Sequence, residues 1–361
     1  MTREHHVVHI TPALFGEAGV FGGAERYTFE LARHMALVCP TTLVCFGDTP
    51  RELTTIEGLR VKVLGPSWKV RGQPFNRIHP GLARAVVGAD IVHCHQPHTL
   101  AAELSALMAR VTRKKVFATD LGGGGWGFSG YMRTDRWFDG HLHISAYSQR
   151  IAGHAGVRGS EVIYGGVDAE FFSPDNVTPK EPLVVFVGRL LPHKGIDRLI
   201  SALPEDLELE VIGHSYDDRY QASLHHLADG KRVAFRHNCT DLEIVEAYRR
   251  AMCVVLPSVY RDMYGNETAV PELLGQTLLE GMACGAPAVC TDVASLPEIV
   301  DNGVTGFIVP SQDGAALGER LGFLRDNPTV SNRMGQEGRR RILEKFSWPH
   351  VVEQCLAAYR K

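Results

Sequence analysis

Short apolar runs recur along the 361-residue chain, and stretches with helical periodicity separate them. The first half contains runs at 7–10, 42–46, 91–94, 116–119, 141–145 and 162–164. The second half contains runs at 183–187, 209–212, 233–235, 253–256, 288–290 and 307–309. Uninterrupted β-branched runs that alternate with amphipathic helices are typical of parallel strands covered on both faces. Two such series predict an α/β protein with two doubly wound, Rossmann-like domains.

A segment rich in proline and without apolar periodicity separates the two series. Residues 173–182 contain three prolines, which is typical of a linker. We therefore predict a first domain over 1–172 and a second domain over 183–346. Apolar residues at helical spacing between 347 and 361 predict a C-terminal amphipathic helix that must bury one face.

Composition narrows the class of protein. The formal net charge of −3 argues against a nucleic-acid partner. The eight cysteines include no CxxC pair and lie mostly in apolar runs, which indicates reduced core thiols and a cytoplasmic location. The first residues do not resemble a secretory signal, and no apolar run is long enough for a membrane span. We expect any membrane contact to be peripheral.

Parallel sheets bind ligands at the carboxyl ends of their strands, so the loops after the predicted strands are where we expect a site. Gly22 and Gly23 open the first helix, where backbone N–H groups can approach an anion. The alternative is that these two glycines only form a turn between the first strand and the first helix. Arg189 and Lys194 lie five positions apart on a glycine-flanked loop. Two cations there would stabilise a departing diphosphate, and the alternative is a solvated basic loop.

The segment around Glu272 and Glu280 is the most specific motif. Gly275 between them predicts a loop that enters a helix near Gln276, with Glu272 in the loop and Glu280 in the helix. The N–H groups of Gln276 and Thr277 would then point at an anion. Carboxylates suit sugar and ribose hydroxyls, because they accept strong hydrogen bonds. Apolar neighbours of Glu280 argue against two unrelated surface glutamates.

These motifs, together with the segments 166–168, 281–285, 296–303 and 305–307, resemble the family-4 retaining glycosyltransferases over essentially the whole chain. The resemblance implies the GT-B architecture, in which two Rossmann-like domains face each other across a cleft and a C-terminal helix returns to the first domain. It implies a nucleoside-diphosphate sugar as co-substrate and no other cofactor. The chain has no Asp-x-Asp motif, which argues against the metal-dependent single-domain transferases.

The resemblance also assigns roles to individual residues. Arg189 and Lys194 would bind the diphosphate, Glu272 the donor-sugar hydroxyls and Glu280 the ribose. The other candidates for donor binding are Gly22, Gly23, Leu274, Gly275, Gln276, Thr277, His237 and Asn238. The last two follow a predicted strand and are candidates for contact with the nucleotide base.

The chain departs from the family after the fourth strand. Many members have a histidine there, whereas this chain has Asp120 and then a glycine run. Asp120 is a catalytic candidate because it could accept a hydrogen bond from a sugar hydroxyl. Front-face attack needs no side-chain base, since the leaving phosphate can take the acceptor proton. Gly123, Gly124, Trp126 and Ser145 are candidates for acceptor contacts, with a structural turn and a helix cap as the alternatives.

Two further segments allow more than one interpretation. An insertion over 259–271 precedes Glu272. Its Tyr260, Arg261, Tyr264 and Asn266 either contact the donor or acceptor sugar or belong to a surface excursion. A zinc site could be built from His93, Cys94, His95 and His98. However, strand alternation sends neighbouring side chains to opposite faces and no further ligand cluster is apparent, so we predict no metal site.

Charge is uneven along the chain. Residues 51–115 hold eleven Lys and Arg but four Asp and Glu, interleaved with Trp68 and Phe75. This stretch either attracts a lipid-linked acceptor at an anionic membrane or is a solvated basic face. The acceptor itself, a glycan, a lipid-linked glycan or a small molecule, stays open. So do two alternative functions: a nucleotide-sugar epimerase or phosphorylase, and a catalytically silent nucleotide-sugar-binding subunit.

Overall fold

The computed structural model describes residues 5–14, 23–175 and 177–361. The chain forms two compact units, and the first is discontinuous in sequence. Unit 1 comprises Met1–Gly166 together with Trp348–Lys361, and unit 2 comprises Val167–Ser347. The proline-rich segment 173–182 therefore lies within unit 2. Among the helices in the described ranges, none has the length and apolarity needed to cross a bilayer.

Unit 1 is built on a mostly parallel sheet. Its strands are β1 (Val7–Leu14), β2 (Thr41–Phe46), β3 (Arg51–Thr54), β4 (Arg60–Leu64), β5 (Trp68–Lys69), β6 (Arg77–Ile78), β7 (Ile91–His95), β8 (Lys115–Thr119), β9 (Gly140–His143) and β10 (Ser160–Val162). Its helices are α1 (Gly23–Ala36), α2 (Gly81–Val87), α3 (Leu100–Val111), α4 (Ala146–Ile151) and α12 (Trp348–Arg360). Eight strands pair in the order β10-β9-β8-β7-β1-β2-β4-β3, while β5 and β6 form a separate antiparallel pair. Within the large sheet, β3 runs antiparallel to β4.

The apolar runs explain why this sheet is buried on both faces. Val8, Val44 and Val92 of three adjacent strands are almost fully buried and pack with alanines of α3. Burying both faces of a strand removes apolar surface from water along its whole length, which is the main stabilising contribution to such a core. On the other face, α12 packs against α1. Its buried residues include Val351, Val352, Cys355 and Tyr359, which are the positions at helical spacing.

Unit 2 is a second, entirely parallel sheet. Its strands are β11 (Leu183–Val187), β12 (Glu208–Ile212), β13 (Val233–Arg236), β14 (Cys253–Leu256), β15 (Ala288–Thr291) and β16 (Gly306–Val309). Its helices are α5 (Ile196–Ala202), α6 (Asp218–Leu227), α7 (Asp241–Arg250), α8 (Gln276–Ala283), α9 (Leu296–Ile299), α10 (Gly314–Asp326) and α11 (Pro328–Lys345). The strand order is β13-β12-β11-β14-β15-β16, and every neighbouring pair is parallel.

The strand order of unit 2 contains a topological switch point, where parallel sheets commonly bind ligands. From β11 the chain adds β12 and β13 toward one edge of the sheet. It then returns to β14 on the other side of β11 and adds β15 and β16 toward the opposite edge. At such a switch point the loops after the two strands diverge and leave space for a ligand. The loops after β11 and β14 carry Lys194 and Glu272, respectively. The predicted fold class, two Rossmann-like domains of the GT-B type, is confirmed.

Candidate functional site

The loops at the β11–β14 switch point bring Lys194 and Glu272 into contact. The Lys194 ammonium donates to Oε1 of Glu272, and both side chains are largely buried. Ser258, which follows β14, donates its hydroxyl to the same oxygen over 2.7 Å. Thr291 in turn donates to the Ser258 carbonyl over 2.6 Å, which fixes the backbone there. The carboxylate therefore has a cation and a hydroxyl as partners, which compensates for the water that it loses on burial.

Gly275 sets the entry into α8. Its φ of 89° lies in the left-handed region, and a Cβ there would approach Leu296 to 2.7 Å. Glycine avoids both the backbone strain and this clash. As the sequence predicted, Glu272 lies in the loop and Glu280 lies within the helix. The helix begins at Gln276, so its first turn carries the partial positive charge of a helix N-terminus, which favours an anion.

The other donor-site candidates with charged or polar side chains lie after β11, within α8 and after β13. Arg189 is exposed in the loop after β11, and it makes no ion pair within the described residues. Glu280 is buried and accepts a 3.4 Å hydrogen bond from the Tyr248 hydroxyl. His237 lies after β13 with Nδ1 2.9 Å from the Gly213 carbonyl oxygen, and Asn238 beside it is exposed.

Four donor-site candidates remain. Leu274 is buried just before Gly275. Thr277 in the first turn of α8 is half-buried. Gly23 is exposed at the start of α1 in unit 1, and a Cβ there would meet open space. Gly22 lies outside the described residues.

The insertion before Glu272 is folded onto unit 2. Asp262 accepts backbone hydrogen bonds from Tyr264 and Asn266, each over 2.9 Å, which closes a tight turn. The guanidinium of Arg219 lies 4.3 Å from the centre of the Tyr264 ring. The Tyr260 hydroxyl accepts a 3.0 Å hydrogen bond from the Ala294 amide. The insertion is therefore anchored at both its start and its tip.

In unit 1, the glycine run is held by hydrogen bonds rather than left free. Asp120 accepts a 2.9 Å hydrogen bond from the Gly122 amide, and Gly122 and Gly123 both have positive φ angles. Gly124 is exposed. Trp126 donates its amide to Gln73 over 2.8 Å. The loop is thus a defined turn with glycine where the backbone is left-handed.

Ser145 acts as a helix cap. It is fully buried and its hydroxyl accepts a 3.0 Å hydrogen bond from the Ser148 amide at the start of α4. The Ser148 hydroxyl lies 3.1 Å from the Ser145 amide, which completes a reciprocal capping box. Capping accounts for this residue without any contact to an acceptor.

A cluster of three histidines in unit 1 was not predicted. His9 on β1 and His93 and His95 on β7 are fully buried, and their ring nitrogens lie within 4.8 Å of one another. Our argument from strand alternation was wrong here, because residues two apart on a strand share a face. The spacing of His93 and His95 could therefore have predicted this arrangement. Three nitrogens at this separation could serve as metal ligands.

In the structure these nitrogens form hydrogen bonds with the core around them. His93 lies 2.7 Å from the Tyr359 hydroxyl of α12 and 2.8 Å from the Thr119 hydroxyl. His9 Nδ1 lies 3.0 Å from His95 Nε2. Nδ1 of His95 is buried without a partner among the described residues. Burial lowers the pKa of His9 to about 3 and lowers the pKa of the other two as well, so all three are neutral at pH 7.

Comparisons with known families cover both halves of the chain. Residues 21–171 match the family described as Glycosyltransferase Family 4. Residues 168–341 match the family described as Glycosyl transferases group 1. Together the two matches include the candidates in both units, from the glycine turn in unit 1 to Glu280 in unit 2.

Curated relatives are similar over the whole chain or over part of it. Alpha-maltose-1-phosphate synthase of Mycobacterium tuberculosis is 26% identical, and the alignment covers 95% of this chain and 96% of that protein. The GDP-mannose-dependent alpha-(1-6)-phosphatidylinositol monomannoside mannosyltransferase of Mycolicibacterium smegmatis is 32% identical over 51% of each chain.

Solved structures share the fold. Sucrose-phosphate synthase from Thermosynechococcus elongatus has a TM-score of 0.74 at 20% identity, over 99% of this chain and 98% of that chain. Anabaena Alr3699/HepE in complex with UDP and glucose has a TM-score of 0.70 at 17% identity, over 98% of both chains.

Proposed function

Because this chain is a glycosyltransferase with the GT-B fold, we propose that it uses a nucleoside-diphosphate sugar and transfers the sugar with retention of anomeric configuration. The contact between Lys194 and Glu272 at the β11–β14 switch point carries this proposal. It joins a cation suited to a diphosphate with a carboxylate suited to sugar hydroxyls. The site needs no metal ion for the roles assigned below.

The diphosphate would bind between Lys194, Arg189 and the first turn of α8. When the bond between the sugar and the diphosphate breaks, negative charge develops on the leaving phosphate oxygen. Fixed cations and helix N–H groups stabilise that charge more than they stabilise the ground state. Arg189 has no ion pair among the described residues, so binding the donor breaks no existing pair at this position.

Glu272 would orient the donor sugar. Its two oxygens can accept hydrogen bonds from sugar hydroxyls, while Lys194 and Ser258 keep the carboxylate charged and in place. Glu280 would accept a hydrogen bond from the ribose. A carboxylate in the loop and another in the helix would thus hold the two sugar rings of the donor, on either side of its diphosphate.

In the proposed reaction, the bond from the anomeric carbon to the diphosphate oxygen breaks and its electrons pass to that oxygen. The acceptor hydroxyl then attacks from the same face, and its proton passes to the leaving phosphate. The atoms balance without a protein base. Asp120 is engaged with its own turn, which agrees with a role in positioning rather than in proton transfer.

The first experiment is a thermal-shift panel of UDP, GDP, ADP and TDP and their common sugars, with EDTA present. A nucleotide that binds the folded chain must raise the melting temperature. The relatives include a GDP-mannose-dependent enzyme, and one similar structure holds UDP and glucose, so the panel covers both bases. A shift that appears only when EDTA is left out would contradict a donor site that needs no metal.

Kinetics then test the residues and the stereochemistry. Lys194→Ala should lower kcat/KM by roughly 10²–10³, because it removes a donor to the developing charge. Glu272→Gln should also lower it, whereas Lys345→Ala, an exposed position on α11, should not. NMR spectra recorded early in the reaction should show that the product has the same anomeric configuration as the donor. Full activity in both site variants, an inverted product, or epimerised sugar without acceptor would each contradict the proposal.

We also propose that unit 1 meets an anionic membrane surface, where a lipid-linked acceptor would be found. Trp68 on β5 and Tyr131 are 64% and 72% exposed, and Phe75 between β5 and β6 is exposed as well. The guanidinium of Arg71 lies 4.5 Å from the centre of the Trp126 ring, which joins this hairpin to the glycine turn. Exposed aromatic rings beside cations are typical of interfacial contact.

Vesicle sedimentation tests the membrane contact. The chain should sediment with vesicles that contain phosphatidylserine and not with pure phosphatidylcholine. Trp68→Ser should reduce the bound fraction, whereas Ile56→Ser, an equally apolar and fully exposed change between β3 and β4, should not. Equal recovery with both kinds of vesicle would contradict the contact.

A further inference from the structure

Unit 2 contains a cavity with a basic lining, apart from the candidate donor site. It has a volume of about 550 Å³ and lies between Pro174, Asp175, Thr178 and Lys180 on one side and the C-terminal end of α8 and the helix α11 on the other. Gly285 stands at its edge, just beyond that end of α8. The candidate donor site uses the opposite end of the same helix, at Gln276. An eight-residue helix is about 12 Å long, so the two sites are separate.

Three cations face this basic pocket, which we define by Lys180, Arg249 and Arg339 with the carboxylate of Asp175. Arg249 lies 3.5 Å from Asp175 and donates 2.7 Å to the Ser173 carbonyl. A further arginine of α11, Arg340, also lines the cavity, but it is already paired with two glutamates on its own helix.

Lys180 and Arg339 contact backbone oxygens instead of carboxylates. The Arg339 guanidinium donates to the carbonyls of Ala169, Phe172 and Ala283 over 2.7 to 2.9 Å. The Lys180 ammonium lies 3.4 Å from the Tyr248 carbonyl, at the outer limit of a hydrogen bond. Within the described residues, neither cation has an ion pair. The pocket thus holds three positive charges against one negative charge.

Lys180 is exposed to solvent and Arg339 is half-buried, so these cations are only partly desolvated. Desolvation lowers the pKa of Lys180 to about 8 and lowers the pKa of Arg339. Their charged forms would be stabilised by an anion that enters the cavity, because a nearby opposite charge offsets desolvation. Asn332 and Gln336 of α11 also line the cavity and can bond to hydroxyl groups.

We propose that the basic pocket binds a small phosphate monoester that carries hydroxyl groups. A phosphate dianion matches the two uncompensated positive charges, and guanidinium groups bind phosphate oxygens in pairs. The cavity is large enough for a small metabolite in addition to the phosphate, since small-molecule sites commonly measure about 300–1,000 Å³. This site is independent of the donor site and of the proposed transfer reaction.

Calorimetric titration tests the pocket, with glycerol 3-phosphate and inorganic phosphate as probes. Because the donor site also attracts phosphate, the titrations use the intact chain, Lys194→Ala, Lys180→Gln and Lys180→Arg in a low-salt buffer at pH 7. We expect Lys194→Ala to keep the binding and Lys180→Gln to weaken it roughly tenfold or more, because one charge-assisted hydrogen bond is lost. Lys180→Arg should restore binding, which separates lost charge from lost folding.

Three results would overturn the proposal. The first is that neither probe binds the intact chain at millimolar concentration. The second is binding that Lys194→Ala abolishes and Lys180→Gln leaves unchanged, which would assign the phosphate to the donor site. The third is equal weakening by Lys180→Gln and by Lys345→Gln, which is an exposed change outside the cavity and would indicate a general effect of charge.

Discussion

Lowering the pH from 7 to 5 should destabilise unit 1, because three buried histidines must stay neutral in the folded chain. His9 illustrates the size of the effect. Burial lowers its folded pKa to about 3, whereas an unfolded histidine titrates near 6.5. Between these values the unfolded chain binds a proton that the folded chain does not. The contribution is therefore complete above the unfolded pKa and declines as the pH falls below it.

The magnitude follows from proton linkage. For a folded pKa of about 3 and an unfolded pKa of about 6.5, the change from pH 7 to pH 5 removes about 2 kcal/mol of unfolding free energy. His93 and His95 have pKa values shifted in the same direction by burial, so they add to this loss. Since a domain is typically stable by about 5–15 kcal/mol, the loss is a substantial fraction of the total.

Tryptophan fluorescence isolates unit 1 in this assay. All four tryptophans, at positions 68, 126, 137 and 348, belong to unit 1, so their emission during urea unfolding does not report on unit 2. The measurement compares the intact chain with His9→Asn at pH 7 and pH 5. The substitution has its own cost, but that cost is present at both pH values and cancels in the difference.

We expect the pH-dependent loss to be about 2 kcal/mol smaller in His9→Asn than in the intact chain. His5→Asn, an exposed change two residues before β1, serves as the matched control and should behave like the intact chain. If His9→Asn and the intact chain lose the same free energy between pH 7 and 5, then His9 titrates without cost in the folded state. The reasoning from burial would then be refuted.

Three other substitutions or treatments have defined outcomes. Gly275→Ala should cost about 1–2 kcal/mol of unfolding free energy, because alanine is strained at this φ and would crowd Leu296. The same substitution should raise the KM for the donor. An unchanged urea midpoint and an unchanged KM would contradict this prediction. Tyr359→Phe should cost about 1–2 kcal/mol, because it removes the hydrogen bond to His93; the tryptophan emission during urea unfolding measures it. Burial raises the pKa of Cys253 to about 12, so its thiol should not react with iodoacetamide in the folded chain but should react in urea. Mass spectrometry measures the labelling. Rapid labelling of Cys253 in the folded chain would contradict this prediction.

Continuous apolar runs were sufficient to predict the central strands. β7, β8, β11 and β14 lie where the uninterrupted runs were found, because a strand buried on both faces leaves a clear pattern. The strands β3 to β6 were not predicted. These strands have only two to five residues each, and β3 and β5 are exposed, so they leave no continuous apolar run. From the sequence, only the excess of basic residues in this stretch was interpreted.

The candidate site was predictable in its residue types but not in its contacts. The glycine at position 275 predicted the loop before α8, because the left-handed backbone conformation at this position favours glycine. The pairing of Lys194 with Glu272 joins residues 78 positions apart, and the hydroxyl of Ser258 completes it. Only the sheet order brings their loops together, and no local pattern encodes that order. The roles of these residues in sugar transfer stay predictions.

The discontinuity of unit 1 has a consequence for synthesis on the ribosome. Helix α12, with the buried Trp348 and Tyr359, is translated after every residue of unit 2. Residues 1–166 of unit 1 therefore leave the ribosome long before the helix that covers α1 and hydrogen-bonds His93 has been made. During that interval the uncovered face is exposed to chaperones and to aggregation. A stop codon at position 348 would make the interval permanent, so unit 1 would stay without the helix that completes it.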